Sequence, residues 1–161
     1  MRLSTKGRYA VMAMVDLAKH GTGEPIALAE IAERQEISLS YLEQLFAKLR
    51  TGGLVKSVRG PGGGYLLAHG PDETRISDII VAVDEPIRAT RCSPGAPVGC
   101  RGNQSRCLTH DLWEELGNQI HLFLSSVSLA DVVEGRVLGT SRIMPSEPAR
   151  VAPSAPAVAA Q

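Results

Sequence analysis

With 161 residues, 43% of them hydrophobic, the chain can bury one ordinary core, as one domain or one domain with an extension. Charge is balanced overall but not along the chain: residues 1–70 carry nine Lys/Arg against six Asp/Glu, a net of +3, and residues 71–161 carry eight against eleven, a net of −3. The N-terminal half is therefore the better partner for a polyanion, while the longest apolar run, Tyr9 to Val15, is far short of a membrane span.

The opening MRLSTKGRYAV has neither the apolar run nor the cleavage site of a signal peptide, which predicts a cytoplasmic protein with reduced thiols. Ser4 or Thr5 is placed to cap a helix running to about His20 and ended by Gly21. Its middle, YAVMAMVDLA, is apolar nearly all round and needs cover on two faces, the second of which a partner chain could supply.

In PIALAEIAERQEISLSYLEQLFAKLRTGG, Leu28, Ile31 and Ala32 form a short apolar face broken at Gln35-Glu36. Ser40 and Glu43 read as a capping box opening a second helix, along which Leu42, Leu45, Phe46 and Leu49 recur at i, i+3, i+4, i+7 before Gly52-Gly53. Two short helices joined by a tight turn make a helix-turn-helix. The face opposite the apolar stripe carries Ser40, Tyr41, Gln44, Ala47 and Lys48, with Ser38 just ahead of it, a set suited to base edges and phosphates in a major groove. Glu43 sits at the edge of that face, where it either only closes the capping box or also accepts a hydrogen bond from a cytosine amino group.

Leu54–Val58 and Tyr65–Leu67 are short β-prone runs joined by Arg59-Gly-Pro-Gly-Gly-Gly64, a hairpin with the glycine-rich tip of a wing. Arg59 at its base is suited to a narrow minor groove, and Arg2 and Lys6 to phosphates. A nucleotide-binding loop is the weaker reading of RGPGGG, because the Gly-Lys-Ser/Thr of a P-loop and its following helix are missing. Residues 1–70 thus read as a DNA-binding domain with double-stranded DNA as partner, and no substrate pocket or catalytic base suggests an enzyme or a small-molecule substrate.

Residues 71–90 resume a helical pattern through Ile76, Ile79, Ile80 and Val83, a connecting helix. Residues 91–110 hold all three cysteines at Cys92-x7-Cys100-x6-Cys107-x2-His110, among glycines and prolines that let a loop wrap one metal or small cluster. An odd thiol count in a reducing compartment argues against disulfides. Zinc lacks its usual Cys-x2-Cys knuckle here, an iron–sulfur cluster tolerates the wider gaps, and the spacing leaves both open beside a loop of unligated thiols. His110 taken alone is a helix-start residue; its place after Cys107 favours ligation.

From Thr109 a long helix is expected to about Ser128, within a dimerisation segment spanning 110–135. Trp113, Leu116, Ile120, Phe123 and Val127 are spaced 3, 4, 3, 4, a seam that packs on the chain's own core or pairs with a second subunit. Residues 140–161, rich in proline and alanine, read as a disordered tail. The fold class is mainly α: a winged helix-turn-helix with a small β-hairpin wing and a long C-terminal dimerisation helix.

Taken together, MRLSTKGRYAV, ISLSYLEQLFAKLR, VRGPGGGYLL and CLTHDLW resemble the Rrf2 family of winged-helix regulators over about residues 1–135. The resemblance, nearest to the family's iron–sulfur-sensing branch, implies a homodimer whose long helices cross and a [2Fe–2S] cluster on Cys92, Cys100, Cys107 and His110. It also implies repression of cluster-assembly genes by the holo form, binding of a second class of sites by the apo form, and discrimination between the two through Glu43. The gaps between cysteines are slightly longer than is common in that branch, a difference that costs little closure entropy. Where the nitric-oxide-sensing branch takes an aspartate ligand, this chain has Arg8, which disfavours that branch. An iron- or nitric-oxide-responsive repressor of the same family is the alternative, and a small iron–sulfur electron-transfer protein is the rival from another class, one that leaves the helix-turn-helix without a role.

Overall fold

The computed structural model describes residues 4–87, 101 and 105–137. Arg2, Cys92, Cys100 and the tail from 140 lie outside the described residues.

Helix α1 (Thr5–His20) starts and stops where its sequence signals lie: the Ser4 hydroxyl accepts from the Lys6 N–H at 3.2 Å, and the Gly21 N–H donates to the Leu17 carbonyl at 2.9 Å. Ala10, Ala13, Met14 and Leu17 are buried at its centre. Part of the second apolar face is covered from within the chain, by α4 (Ile76–Ala82) and α6 (Leu129–Val133), while Val11, Met12 and Val15 stay half-buried.

An ion pair between a buried carboxylate and a partly exposed guanidinium fixes α1 to α2 (Leu28–Gln35). The Asp16 side chain is fully buried; Arg34 donates to it through Nη2 at 2.7 Å and Nε at 3.1 Å, and Gln35 Nε2 donates at 2.7 Å. Burial pushes the Asp16 carboxyl up, but the hydrogen bonds and charge of Arg34, with help from Gln35 and His20, outweigh it and hold the group below its ordinary value.

Helix α2 ends with Glu36 in the left-handed region (φ 53°), where the Ile37 N–H reaches the Ala32 carbonyl at 3.1 Å. This turn drops Ile37 into the core and leaves Ser38 as the last extended residue before α3 (Leu39–Thr51). The capping box expected from Ser40 and Glu43 therefore does not form: Ser38 is the N-cap, without a side-chain cap bond, and Ser40 lies inside the first turn. A capping box closes at α6 instead, where Ser128 Oγ accepts from the Asp131 N–H at 3.1 Å and the Asp131 carboxylate accepts from the Ser128 N–H at 2.9 Å. Those Ser128 bonds, with Arg136, lower the Asp131 pKa to about 2.

The wing is an antiparallel pair, β1 (Val55–Val58) with β2 (Gly64–Leu67), in the register Val55 to Leu67 and Val58 to Gly64. Its turn needs glycine at Gly60 (φ 103°) and Gly62 (φ 74°). The sequence pattern does not reveal the third participant: Ile26 bridges Tyr65, exchanging N–H···O bonds of 3.0 and 2.8 Å. A Cβ on Gly64 would lie 2.2 Å from the Ile26 carbonyl oxygen, which is backbone and cannot yield. Gly64→Ala is accordingly expected to lower stability by about 3 kcal/mol, read from the urea midpoint. An unchanged midpoint would mean that this strand pairing is dispensable.

The long helix α5 (His110–Ser126) ends two residues before the expected Ser128. Val127 and Ser128 are extended and bridge back to the start of α4, with Ile76 N–H donating to the Val127 carbonyl at 3.1 Å and Leu129 N–H to the Thr74 carbonyl at 2.8 Å. The chain thus returns to the winged helix, and α6 completes its core.

Candidate nucleic-acid interface and metal centre

Helix α3 divides into two faces. Leu42, Leu45, Phe46 and Leu49 are buried to 1% exposure or less, as the i, i+3, i+4, i+7 stripe requires. Phe46 meets Tyr65 of the wing edge-on, ring centroids 4.9 Å apart, so helix and wing share one core. On the opposite side Ser38, Ser40, Glu43, Gln44 and Ala47 are exposed. Tyr41 is half-buried, packed against the core with its ring edge-on to Tyr9 of α1 at 6.0 Å. Arg59 is exposed at the base of the wing.

The fold gathers cations that the sequence separates. Lys6, in the first turn of α1, comes beside Lys48 near the end of α3, and this neighbour pushes the Lys6 ammonium below its ordinary value. Lys48 in turn reaches Asp84, just past α4, with Nζ 2.6 Å from Oδ2; this hydrogen bond raises the lysine and lowers the carboxyl. Next along the chain, the Glu85 carboxylate takes the Ser4 N–H at 2.9 Å and also the Ser4 hydroxyl, placing negative charge at the positive end of α1. Sequence reasoning missed Asp84 and Glu85; the only local signal was that α4 has to stop ahead of Pro86.

Of the metal-ligating residues expected, the structure places Cys107 and His110 together in the turn that begins α5. The His110 N–H donates to the Cys107 carbonyl at 3.1 Å, and His110 is buried at 7% exposure. Its Nε2 lies 3.3 Å from a Glu114 carboxylate oxygen, the kind of partner that orients a ligating imidazole. Asp111 brings a third donor within 4.8 Å of His110 and Glu114. Cys107 is not part of that three-donor group: its half-buried thiol lies 3.8 Å from the Thr109 hydroxyl, so thiol and imidazole are neighbours in the same turn, of residue types that suit a thiolate–histidine metal centre.

The seam of α5 is mostly uncovered. Trp113, Leu116 and Phe123 are 44%, 39% and 40% exposed, Leu112 and Leu122 more so, and Ile120 is half-buried. Val127 departs from the expected seam: it is 8% exposed and belongs to the winged-helix core, because the helix has ended one residue earlier.

A recognition-type helix with a polar outer face, braced on a glycine-tipped wing, defines a winged-helix transcription regulator. The comparisons with known proteins agree. The Rrf2 profile, described as an iron-dependent transcriptional regulator, matches residues 3–135. The chain is 56% identical over 136 residues to the HTH-type transcriptional regulator IscR of Photorhabdus laumondii, covering 84% of this chain and 81% of that one. Among solved structures it is similar to T. potens IscR (TM-score 0.68, 40% identity, 84% of this chain and 88% of that one). It is also similar to CymR, the global cysteine regulator of B. subtilis (TM-score 0.69, 34% identity, 84% and 98%). The chain belongs to the Rrf2 family and is a transcription regulator of the IscR type, a role that is not enzymatic. Among the described residues no helix is long and apolar enough to cross a membrane.

Proposed function

We propose that the protein is a cytoplasmic homodimeric DNA-binding regulator that reports iron–sulfur status through a [2Fe–2S] cluster on Cys92, Cys100, Cys107 and His110. The observation that carries this reading is the turn in which Cys107 and a buried His110 open α5, the helix whose far end is built into the winged helix through Val127 and Ser128. When bound, the cluster would supply a one-electron redox centre and a covalent tie between that turn and the loop carrying the other two cysteines. The chain's own residues do the rest: Glu114 orients the imidazole, and α5 carries the apolar seam to a second copy.

On DNA, Ser38, Ser40, Tyr41, Glu43, Gln44 and Lys48 face the major groove, Lys48 reaching a backbone phosphate at its edge, and Arg59 the minor groove, with Lys6 and Arg2 also on phosphates. Two such units read half-sites centred roughly 34 Å apart on one face of the duplex. The holo form represses cluster-assembly genes, the apo form binds a second class of sites, and Glu43 discriminates between the two.

Anaerobic purification tests the cofactor. A red-brown protein with iron and sulfide in equal amounts is the expected result, and His110→Ala should lose most of both while still binding duplex DNA with altered site preference. Colourless wild-type protein with stoichiometric zinc would replace the cluster by a structural metal. A coloured protein that shifts no duplex from its own upstream region would point instead to electron transfer.

A further inference from the structure

Helix α4 ends in a Schellman arrangement with an unusual residue at its left-handed position. Asp84 N–H donates to the Val81 carbonyl at 3.0 Å, Glu85 N–H to the Ile80 carbonyl at 3.3 Å, and Asp84 sits at φ 55°. Glycine commonly holds this position, because a side chain there is strained. Asp84 accepts that strain although its side chain is 72% exposed and packs against no core. What it touches is Lys48, 36 residues away in sequence.

Both ends of this contact are held by their surroundings. A Cβ on Gly52 would meet Ala82 Cβ at 3.0 Å, so the C-terminal ends of α3 and α4 are in close register. Glu85, anchored on Ser4, prevents the segment after α4 from swinging away. Lys6 stands alongside, giving two ammonium groups around one carboxylate.

We propose that Asp84 is an affinity-setting residue for DNA: its carboxylate occupies the Lys48 ammonium that a backbone phosphate takes in the complex. The proposal rests on the reading of Lys48 as a phosphate contact. The pair is exposed (40% for Lys48, 72% for Asp84) and such pairs are individually weak, so a phosphate displaces the carboxylate with only a modest loss of affinity. Asp84 also begins the connection from α4 toward Cys92, so the segment leading to the cysteine loop is the one that sets the charge available on α3.

The test is a double-mutant cycle on the full-length protein, with binding to its own upstream duplex and to a scrambled duplex followed by fluorescence anisotropy across salt concentrations. Asp84→Asn removes the charge but keeps a side chain that tolerates the left-handed region, so the helix end survives. Asp84→Asn is expected to tighten binding to both duplexes by about 2- to 5-fold at low salt. The slope of log affinity against log salt should steepen, and the gain should fall below half its size in a Lys48→Ala background. A gain of equal size with and without Lys48 would show a net-charge effect and overturn the proposal, as would no gain at all while Lys48→Ala weakens binding. If Lys48→Ala alone leaves affinity and salt slope unchanged, the assignment of the DNA face fails before the question of Asp84 arises.

Discussion

Replacing Arg34 by alanine is expected to lower stability by roughly 3–5 kcal/mol, more than any other single side chain discussed above, because it leaves a buried carboxylate without its guanidinium. Asp16 is completely enclosed, and Gln35 offers it one neutral hydrogen bond while His20 approaches only to 3.5 Å. The damage falls on function as well as stability, because this pair fixes α2 on α1 and thereby the angle at which α3 is presented.

The pH dependence carries a sign that can be checked. In the wild type the Asp16 pKa is depressed, so its contribution is fully present above the unfolded carboxylate value, about 3.9, and is lost as pH falls through the lower folded value. In Arg34→Ala the unpaired buried carboxyl is raised, so stability recovers as pH falls through mildly acid values. Urea midpoints between pH 7 and 4 should therefore stay level for the wild type at this site and rise toward acid for the variant. Parallel profiles with a loss below about 1 kcal/mol would place the carboxylate in contact with solvent.

Charging the α5 seam is the second large effect. Leu116→Glu combined with Phe123→Glu alters side chains that are each about two-fifths exposed in the lone chain, and glutamate is a good helix former, so the subunit should fold as before. Sedimentation velocity is expected to show a monomer. Affinity for a duplex carrying two half-sites should fall roughly 10²–10⁴-fold, toward that for a single half-site, because linkage of the two reading heads is lost. A variant that remains dimeric would move the interface to another face of the molecule.

How far the sequence reaches can be judged element by element. The α3 stripe was legible because its four side chains answer to one local period, and nothing elsewhere in the chain competes for them. The ends of α1 were legible because Ser4 and Gly21 act on backbone groups within four residues. The Ser40–Glu43 box was a sound local motif that lost to its neighbour: the left-handed Glu36 set where α2 turned, and so moved the cap to Ser38. Val127 shows the same competition on a larger scale. It continues the heptad spacing of Trp113 to Phe123, yet the bridge from Ser128 to Arg75 draws the chain out of the helix and buries it elsewhere.

By itself the sequence determined the helix-turn-helix, the wing, the polar outer face of α3 and the grouping of Cys107 with His110, since each depends on spacings short enough for local geometry to enforce. Only the tertiary structure decided which cations and carboxylates meet. Asp16 with Arg34 and Lys48 with Asp84 are separated by 18 and 36 residues, the hydrogen-bonded Ser4 and Glu85 by 81, and no periodicity reports a polar contact at such range. Those pairs depend on apolar packing between helices distant in sequence: α1 on α2 sets the first, and the meeting of α1, α3 and α4 sets the other two.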